Sequence, residues 1–260
     1  MKERLDKYLT DLGYFETKSK ASAAILAGHV KINDEYITKA GFQINPNKEY
    51  DIVVKSMPYV SRGGFKLKKA LDAFNFSPAE RICFDAGAST GGFTDCLLQN
   101  GAARVYCVDA GHGQLHPTVA GDPRVRSAEG CNARFLAPQV LRRLEPEGIN
   151  PDGSPFSGQV DGCVMDVSFI SQTLILPALA TVVRPGGFLV SLIKPQFEAG
   201  ASALSRHGVV TREKDRQTAV GRVLESAQVC GFLSRGVIPS PIEGGDGNRE
   251  FIAYFIRVGL

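Results

Sequence analysis

Apolar positions follow two regimes along this chain. Leu5, Tyr8, Leu9 and Leu12 stand at i, i+3, i+4 and i+7, the stripe of an amphipathic helix over residues 2–12, with Arg4 and Lys7 off the stripe. Ala21, Ala24 and Ile25 predict a second, short helix that opens near Thr17 to Ser22 and ends at Gly28. Residues 29–37 then read as a strand with Asn33 and Asp34 in a turn, and residues 50–54 as another strand. From Arg81 the pattern changes to compact apolar runs separated by helix-length stretches. Strands are expected at 81–85, 104–109, 160–166, 188–194, 236–239 and 251–257, and helices at 94–100, 138–144, 171–183 and 213–230. Residues 146–158, rich in Pro, Gly and Ser, read as a surface loop. Alternating strands and helices predict an α/β fold with a doubly wound, mostly parallel sheet, behind a small α+β module.

Pro58 and the pair Gly63-Gly64 interrupt regular structure between these regimes. The expected division is a front domain over 1–58, a linker over 59–65, and a second domain over 66–260 whose first helix begins at Lys66.

Charge sharpens this division. The 260 residues carry a net charge of only +3, but residues 1–69 hold 13 Lys and Arg against 8 Asp and Glu. Most of that excess lies between Arg62 and Lys69. A basic front on a near-neutral body suggests an anionic partner, with a solvated charged face as the plainer alternative. An apolar content of 43% with 22% charged residues suits a soluble globular chain. None of the six cysteines forms a CxxC pair, and several lie in apolar runs, which favours reduced thiols in a cytoplasmic protein. The start, Met1-Lys2-Glu3-Arg4, has no apolar core behind its charges, so no signal peptide is expected. No apolar run approaches the roughly 20 residues that span a bilayer. The four histidines show no metal-ligand spacing, and no metal is expected.

The first strand of the second domain leads into Asp85-Ala86-Gly87-Ala88-Ser89-Thr90-Gly91-Gly92. Glycines there permit positive φ and close approach of a ligand to the backbone. The spacing misses the GxGxxG of dinucleotide folds and lacks the Gly-Lys-Ser/Thr of a P-loop. A strand-end Asp85, and Asp109 closing the next strand, fit S-adenosyl-L-methionine better than NAD. Carboxylates so placed can pair with an ammonium and accept from ribose hydroxyls. For Asp109, a strand-end turn residue is the alternative.

Arg4-Leu5-Asp6-Lys7-Tyr8-Leu9, Lys18-Ser19-Lys20-Ala21 and Ile25-Leu26-Ala27-Gly28-His29-Val30-Lys31-Ile32-Asn33 together resemble an S4 RNA-binding domain. The resemblance implies phosphate contacts by Arg4, Lys7, Lys18, Lys20 and Lys31, with Arg62 added from the basic boundary. Such contacts position a protein without reading bases. One departure is Asn33-Asp34 where the family commonly has Asn-Gly, which should alter the turn geometry. The glycine turn, with Gly113-Gln114-Leu115 and Glu129-Gly130-Cys131-Asn132-Ala133-Arg134, resembles the TlyA (hemolysin A) family over essentially the whole chain. These are RNA 2′-O-methyltransferases with an S4 front and a Rossmann-like, FtsJ-like catalytic domain. The resemblance implies that Asp85, Gly87, Ser89 and Thr90 line the methionine end of the cofactor, that Asp109 holds the ribose, that Asn132 lies near the adenine, and that Gly91 is a further cofactor-binding residue of the turn. The implied substrate is cytidine ribose in large-subunit ribosomal RNA, with small-subunit RNA added in some members. The implied partner is the RNA or a ribosomal subunit. The chain begins at its first S4 helix and ends soon after its last strand, as in the shorter subtype, for which large-subunit RNA alone is expected.

Asp166 and Lys194 close apolar strands, and Glu250 opens the last one. Ligands of open α/β sheets bind outside the carboxyl ends of the strands. Glu250 reaches that crevice if its strand runs antiparallel. With Lys66, these residues match the Lys–Asp–Lys–Glu tetrad by which FtsJ-like enzymes activate a ribose 2′-hydroxyl. Lys194 is the expected base, a role that requires its neutral amine. A structural ion-pair network is the alternative, and Glu243 is a rival for the fourth place. Two other functions compete: a non-catalytic RNA-binding or ribosome-assembly protein with a vestigial cofactor pocket, and a membrane-lytic protein.

Overall fold

The computed structural model describes residues 2–26, 28–54, 58–244 and 247–259. The chain forms two compact units, Met1–Pro58 and Tyr59–Leu260.

The front unit runs β1 (Glu3–Arg4), α1 (Leu5–Asp11), α2 (Lys18–Leu26), β2 (Val30–Ile32), β3 (Glu35–Ile37), β4 (Gln43–Ile44) and β5 (Ile52–Val54). Strand β2 lies between β3 and β5, and β1 pairs with β4, all antiparallel. The first helix is shorter than its apolar stripe, because Glu3 and Arg4 leave it to pair with β4 and Leu12 falls beyond its end. Leu5, Leu9, Ala21, Ile25, Val30 and Ile44 form the core. Asp6 sits inside it, accepting from Arg4, the Lys7 N–H and Ser22 Oγ, so one carboxylate ties α1 to α2. The Arg4 guanidinium above all holds this acid down to about 2. The Asn33-Asp34 departure leaves the hairpin unaltered. Both residues take positive φ, 49° and 66°, the two-residue turn that Asn-Gly would make.

The second unit runs α3 (Gly63–Phe74), β6 (Ile82–Ala86), α4 (Gly92–Gln99), β7 (Arg104–Val108), α5 (Pro117–Ala120), β8 (Val125–Ala128), α6 (Pro138–Leu144), β9 (Val160–Met165), α7 (Leu176–Val182), β10 (Val183–Ile193), α8 (Pro195–Glu198), α9 (Glu213–Val229), β11 (Phe232–Pro239) and β12 (Phe251–Arg257). The sheet order is β11-β12-β10-β9-β6-β7-β8. Its inner strands are parallel, and β12 runs antiparallel to both neighbours. Central strands are buried on both faces, which is why they read as continuous apolar runs. Cys83, Val105, Val164 and Val190 pack with Leu67 and Leu71 of α3 and Leu97 of α4. Phe84, Tyr106, Cys163 and Leu189 pack with Leu141, Leu179 and Val223 of α6, α7 and α9.

Residues 59–65, expected as a linker, belong to this unit. Helix α3 starts at Gly63, and buried Tyr59 lies so close that a Cβ on Gly64 would fall 2.2 Å from its ring. The helix expected over 171–183 splits into a 3-10 turn at Gln172–Leu174 and α7, with Pro177 in the first turn of α7. Strand β10 begins at Val183, and its pairing with β9 lapses until Phe188 across Pro185-Gly186-Gly187. Elements β4, β8, α5 and α8 are too short to carry a period. Strand β11 starts earlier than expected, because Leu233, Ser234 and Arg235 are all exposed and hide its alternation.

Candidate active site

The parallel strands β6, β9 and β10 end on one edge of the sheet. Because β12 is antiparallel and Phe251 pairs with Ile193, its first residue arrives at that edge too. Asp166 directly follows β9, Lys194 follows β10, and Glu250 precedes β12. Lys66 comes from α3, on the buried stripe that also holds Leu67 and Ala70. A lysine there requires a matched charge. It donates to Glu250 Oε2 at 2.5 Å, the two side chains being 11% and 3% exposed. Lys194 Nζ lies 2.6 Å from Asp166 Oδ1 and donates to Ser168 Oγ at 2.8 Å. The four candidates therefore stand as two ion pairs. All four line one cavity of about 320 Å³, together with Arg62, Thr90 and Glu243.

A second cavity of about 640 Å³ is lined by Asp109, Gln114, Asn132, Ile170 and Leu174. Gly87, Ser89, Asp166 and Ser168 line both cavities, which therefore meet along a shared wall. Gly87 has φ +82°, and a Cβ on it would fall 2.8 Å from the Asp166 carbonyl oxygen. Only glycine lets the turn lie this close to the end of β9. Asp109 takes the Ser89 N–H on one oxygen at 2.8 Å and the Gly111 N–H on the other at 2.7 Å. Each oxygen keeps a lone pair for a further donor.

Other candidates sit differently. Asp85 lines neither cavity and is wholly buried. It accepts from Thr94 Oγ1 at 2.7 Å, while its Oδ1 has no partner among the described residues. Burial pushes this acid up to about 7. Its side chain lies on the α4 side of β6, where Thr94 holds it. Gly91, at φ +89°, opens α4 and also lines neither cavity. Asn132 lines the larger cavity, but its side-chain oxygen already caps the turn Ala133–Phe135 through the Arg134 N–H. Arg62 is a residue of the second unit and lines the smaller cavity with Lys66. Glu243 shares the smaller cavity but is exposed, whereas Glu250 is 4% exposed and holds Lys66. Sequence reasoning missed Ser168; its place two residues past a strand-end acid was the only signal.

In the front unit, Arg4 chelates Asp6, Lys7 bridges Glu3 and Asp11, Lys20 pairs with Glu16, and Lys31 lies 3.8 Å from Asp34. Lys18 is exposed at the start of α2. Exposed pairs of this kind are weak in water, so the lysines can exchange a carboxylate for a phosphate. Among the described residues no helix is long and apolar enough to cross a membrane.

A family model for FtsJ-like methyltransferases matches residues 59–257, and one for the S4 domain matches residues 3–49. The chain is 40% identical to hemolysin A of Brachyspira hyodysenteriae over 97% of its own length and 99% of that protein. It is 38% identical to the 16S/23S rRNA (cytidine-2′-O)-methyltransferase TlyA of Mycobacterium tuberculosis, over 96% of this chain and 88% of that one. A solved structure of a hemolysin candidate from Streptococcus thermophilus is 41% identical, with a TM-score of 0.73 over 99% of this chain and 89% of that one. Fibrillarin of Aeropyrum pernix shares the fold at 15% identity and a TM-score of 0.51, over 80% of this chain and 79% of that one.

Proposed function

We infer the reaction from the family: the chain belongs to the FtsJ-like methyltransferases, in the TlyA (hemolysin A) branch that carries an S4 domain in front. It is an RNA methyltransferase that acts on the 2′-hydroxyl of cytidine in ribosomal RNA. Large-subunit RNA is the expected target, and the work is done in the cytoplasm, on RNA or on ribosomal subunits.

The donor is S-adenosyl-L-methionine, and the larger cavity fits it. Its volume is in the range of small-molecule sites. Gly87 leaves the backbone open, and Asp109 has acceptor capacity for ribose hydroxyls. Gly87, Ser89 and Thr90 would hold the methionine end, Asp109 the ribose, and Asn132 the adenine side. When bound, the donor supplies a methyl group on a positively charged sulfur, which is already electrophilic.

The protein's task is to align and deprotonate the hydroxyl. The smaller cavity takes the nucleotide. Lys194, as its neutral amine, accepts the 2′-hydroxyl proton on Nζ. Asp166 and Ser168 fix that nitrogen at the wall between the cavities. Lys66, held by Glu250, sets a second donor in the same cavity, where it can orient the ribose. Arg62 and the front residues Arg4, Lys7, Lys18, Lys20 and Lys31 engage phosphates.

The observation that carries this reading is the shared wall, where Lys194's partners Asp166 and Ser168 face both cavities. Incubation with methyl-labelled S-adenosyl-L-methionine and ribosomal RNA or subunits tests it. Label on a ribose is expected. No transfer to any ribose, by protein that binds the donor, would leave the rival reading of a non-catalytic RNA-binding protein.

A further inference from the structure

Four residues past Lys194 stands a carboxylate that faces neither cavity. Glu198 ends α8 and is 2% exposed. Its Oε2 accepts from Ser171 Oγ at 2.6 Å and its Oε1 from the Gln172 N–H at 2.8 Å. Arg222, the nearby cation, donates to the Glu198 backbone carbonyl at 2.5 Å. Burial raises the acid. A buried carboxylate spent on a loop N–H and a hydroxyl is costly unless the loop must be held.

The loop it holds is the one that leaves β9 through Asp166 and Ser168. The same loop is fastened a second time, on the other side of Lys194. Gln172, 1% exposed, donates from Nε2 to the Leu192 carbonyl at 2.5 Å and accepts from Ser191 Oγ. Ser191 and Leu192 lie three and two positions before Lys194, and Glu198 four positions after it. The segment bearing Asp166 and Ser168 is therefore clipped to the segment bearing Lys194 on both flanks of the lysine.

We propose that Glu198, with Gln172, is a positioning residue for methyl transfer, holding Asp166 and Ser168 against Lys194 Nζ. This rests on Lys194 being the group that takes the proton. Glu198 touches no reacting atom and acts through Lys194 alone. A hydrogen-bond clamp does not need charge. Glutamine at 198 can accept from the Gln172 N–H and donate to Ser171 Oγ.

The test is a set of single-turnover methyl-transfer rates at saturating donor and ribosomal RNA, for the wild type, Glu198→Ala, Glu198→Gln, Lys194→Ala and the double variant Lys194→Ala/Glu198→Ala. Glu198→Ala should be slowed at least about tenfold and Glu198→Gln should stay within about threefold of wild type. In the Lys194→Ala background, Glu198→Ala should cost nothing further, since residues that act as a unit are non-additive. A folded Glu198→Ala that turns over like wild type, a glutamine variant as slow as the alanine one, or an additive double variant would each overturn the proposal. If Glu198→Ala fails to fold, Ser171→Ala removes one arm of the clamp, and a wild-type rate there overturns it. A fully active Lys194→Ala would instead defeat the assignment of the base, a separate failure.

Discussion

Lys7 in the front unit lies 2.9 Å from Glu3, and Lys66 in the second unit lies 2.5 Å from Glu250. The bond chemistry is the same, but the Lys7 side chain is 56% exposed and that of Lys66 is 11%. In water the first pair gains little and is screened by salt, so a phosphate can replace the glutamate. The second pair is locked, because parting its charges leaves a buried ion unmatched. Exposed pairs are suited to docking a polyanion, and buried ones to holding geometry during a reaction. Sequence alone does not tell them apart.

Breaking the buried side of this contrast should have the largest effects. Lys194→Ala should cost about 10²- to 10⁴-fold in transfer rate, with donor affinity measured by calorimetry little changed. A loss of donor affinity instead would move Lys194 into the cofactor site. Lys66→Met, which strands Glu250, should destabilise the second unit by about 3–5 kcal/mol in urea unfolding. Adding Glu250→Leu should recover much of that loss, and no recovery would contradict the reading of a matched pair.

Smaller effects are expected in front. Lys18→Ala with Lys20→Ala should weaken binding to ribosomal RNA and lower the slope of log affinity against log salt by about 1 to 2. An unchanged slope would remove both lysines from the interface. A tilt of stability with pH separates two buried carboxylates. Asp6 is paired and held down to about 2, so its contribution is present above the ordinary range near 4 and fades as pH falls toward 2. Asp85 is half-unpartnered and raised to about 7, so the folded state binds its proton more tightly and stability falls as pH rises from about 4 to 7. Thermal melts of Asp85→Asn should lose that upper tilt, and those of Asp6→Asn the lower one.

Strand-end polarity made much of the crevice legible. Asp166, Lys194 and Glu250 each interrupt an apolar run, and the antiparallel β12 needed to gather them is present. Lys66 was legible only through family resemblance, since a lysine in Phe65-Lys66-Leu67-Lys68-Lys69 looks like any charged helix face. Its burial follows from the stripe it occupies, and sequence gives no sign that a stripe includes a lysine. Asp85 also closes an apolar strand, and the sequence gives no sign that Thr94, nine residues on, would hold its carboxylate. The clamp of Glu198 and Gln172 joins residues far apart in the chain, and nothing in their own neighbourhoods marks them. The sequence shows the front lysines as positive charge, and the structure adds acidic partners, several of them one helical turn away.

The division of labour between buried and exposed lysines can be measured in one experiment. Single-turnover transfer from labelled S-adenosyl-L-methionine is followed against ribosomal RNA concentration for Lys194→Ala and for Lys18→Ala/Lys20→Ala. The front variant should reach the wild-type rate once RNA saturates, while Lys194→Ala should stay slow at every concentration. A Lys194→Ala variant that recovers with RNA, or a front variant that remains slow at saturation, would contradict the account.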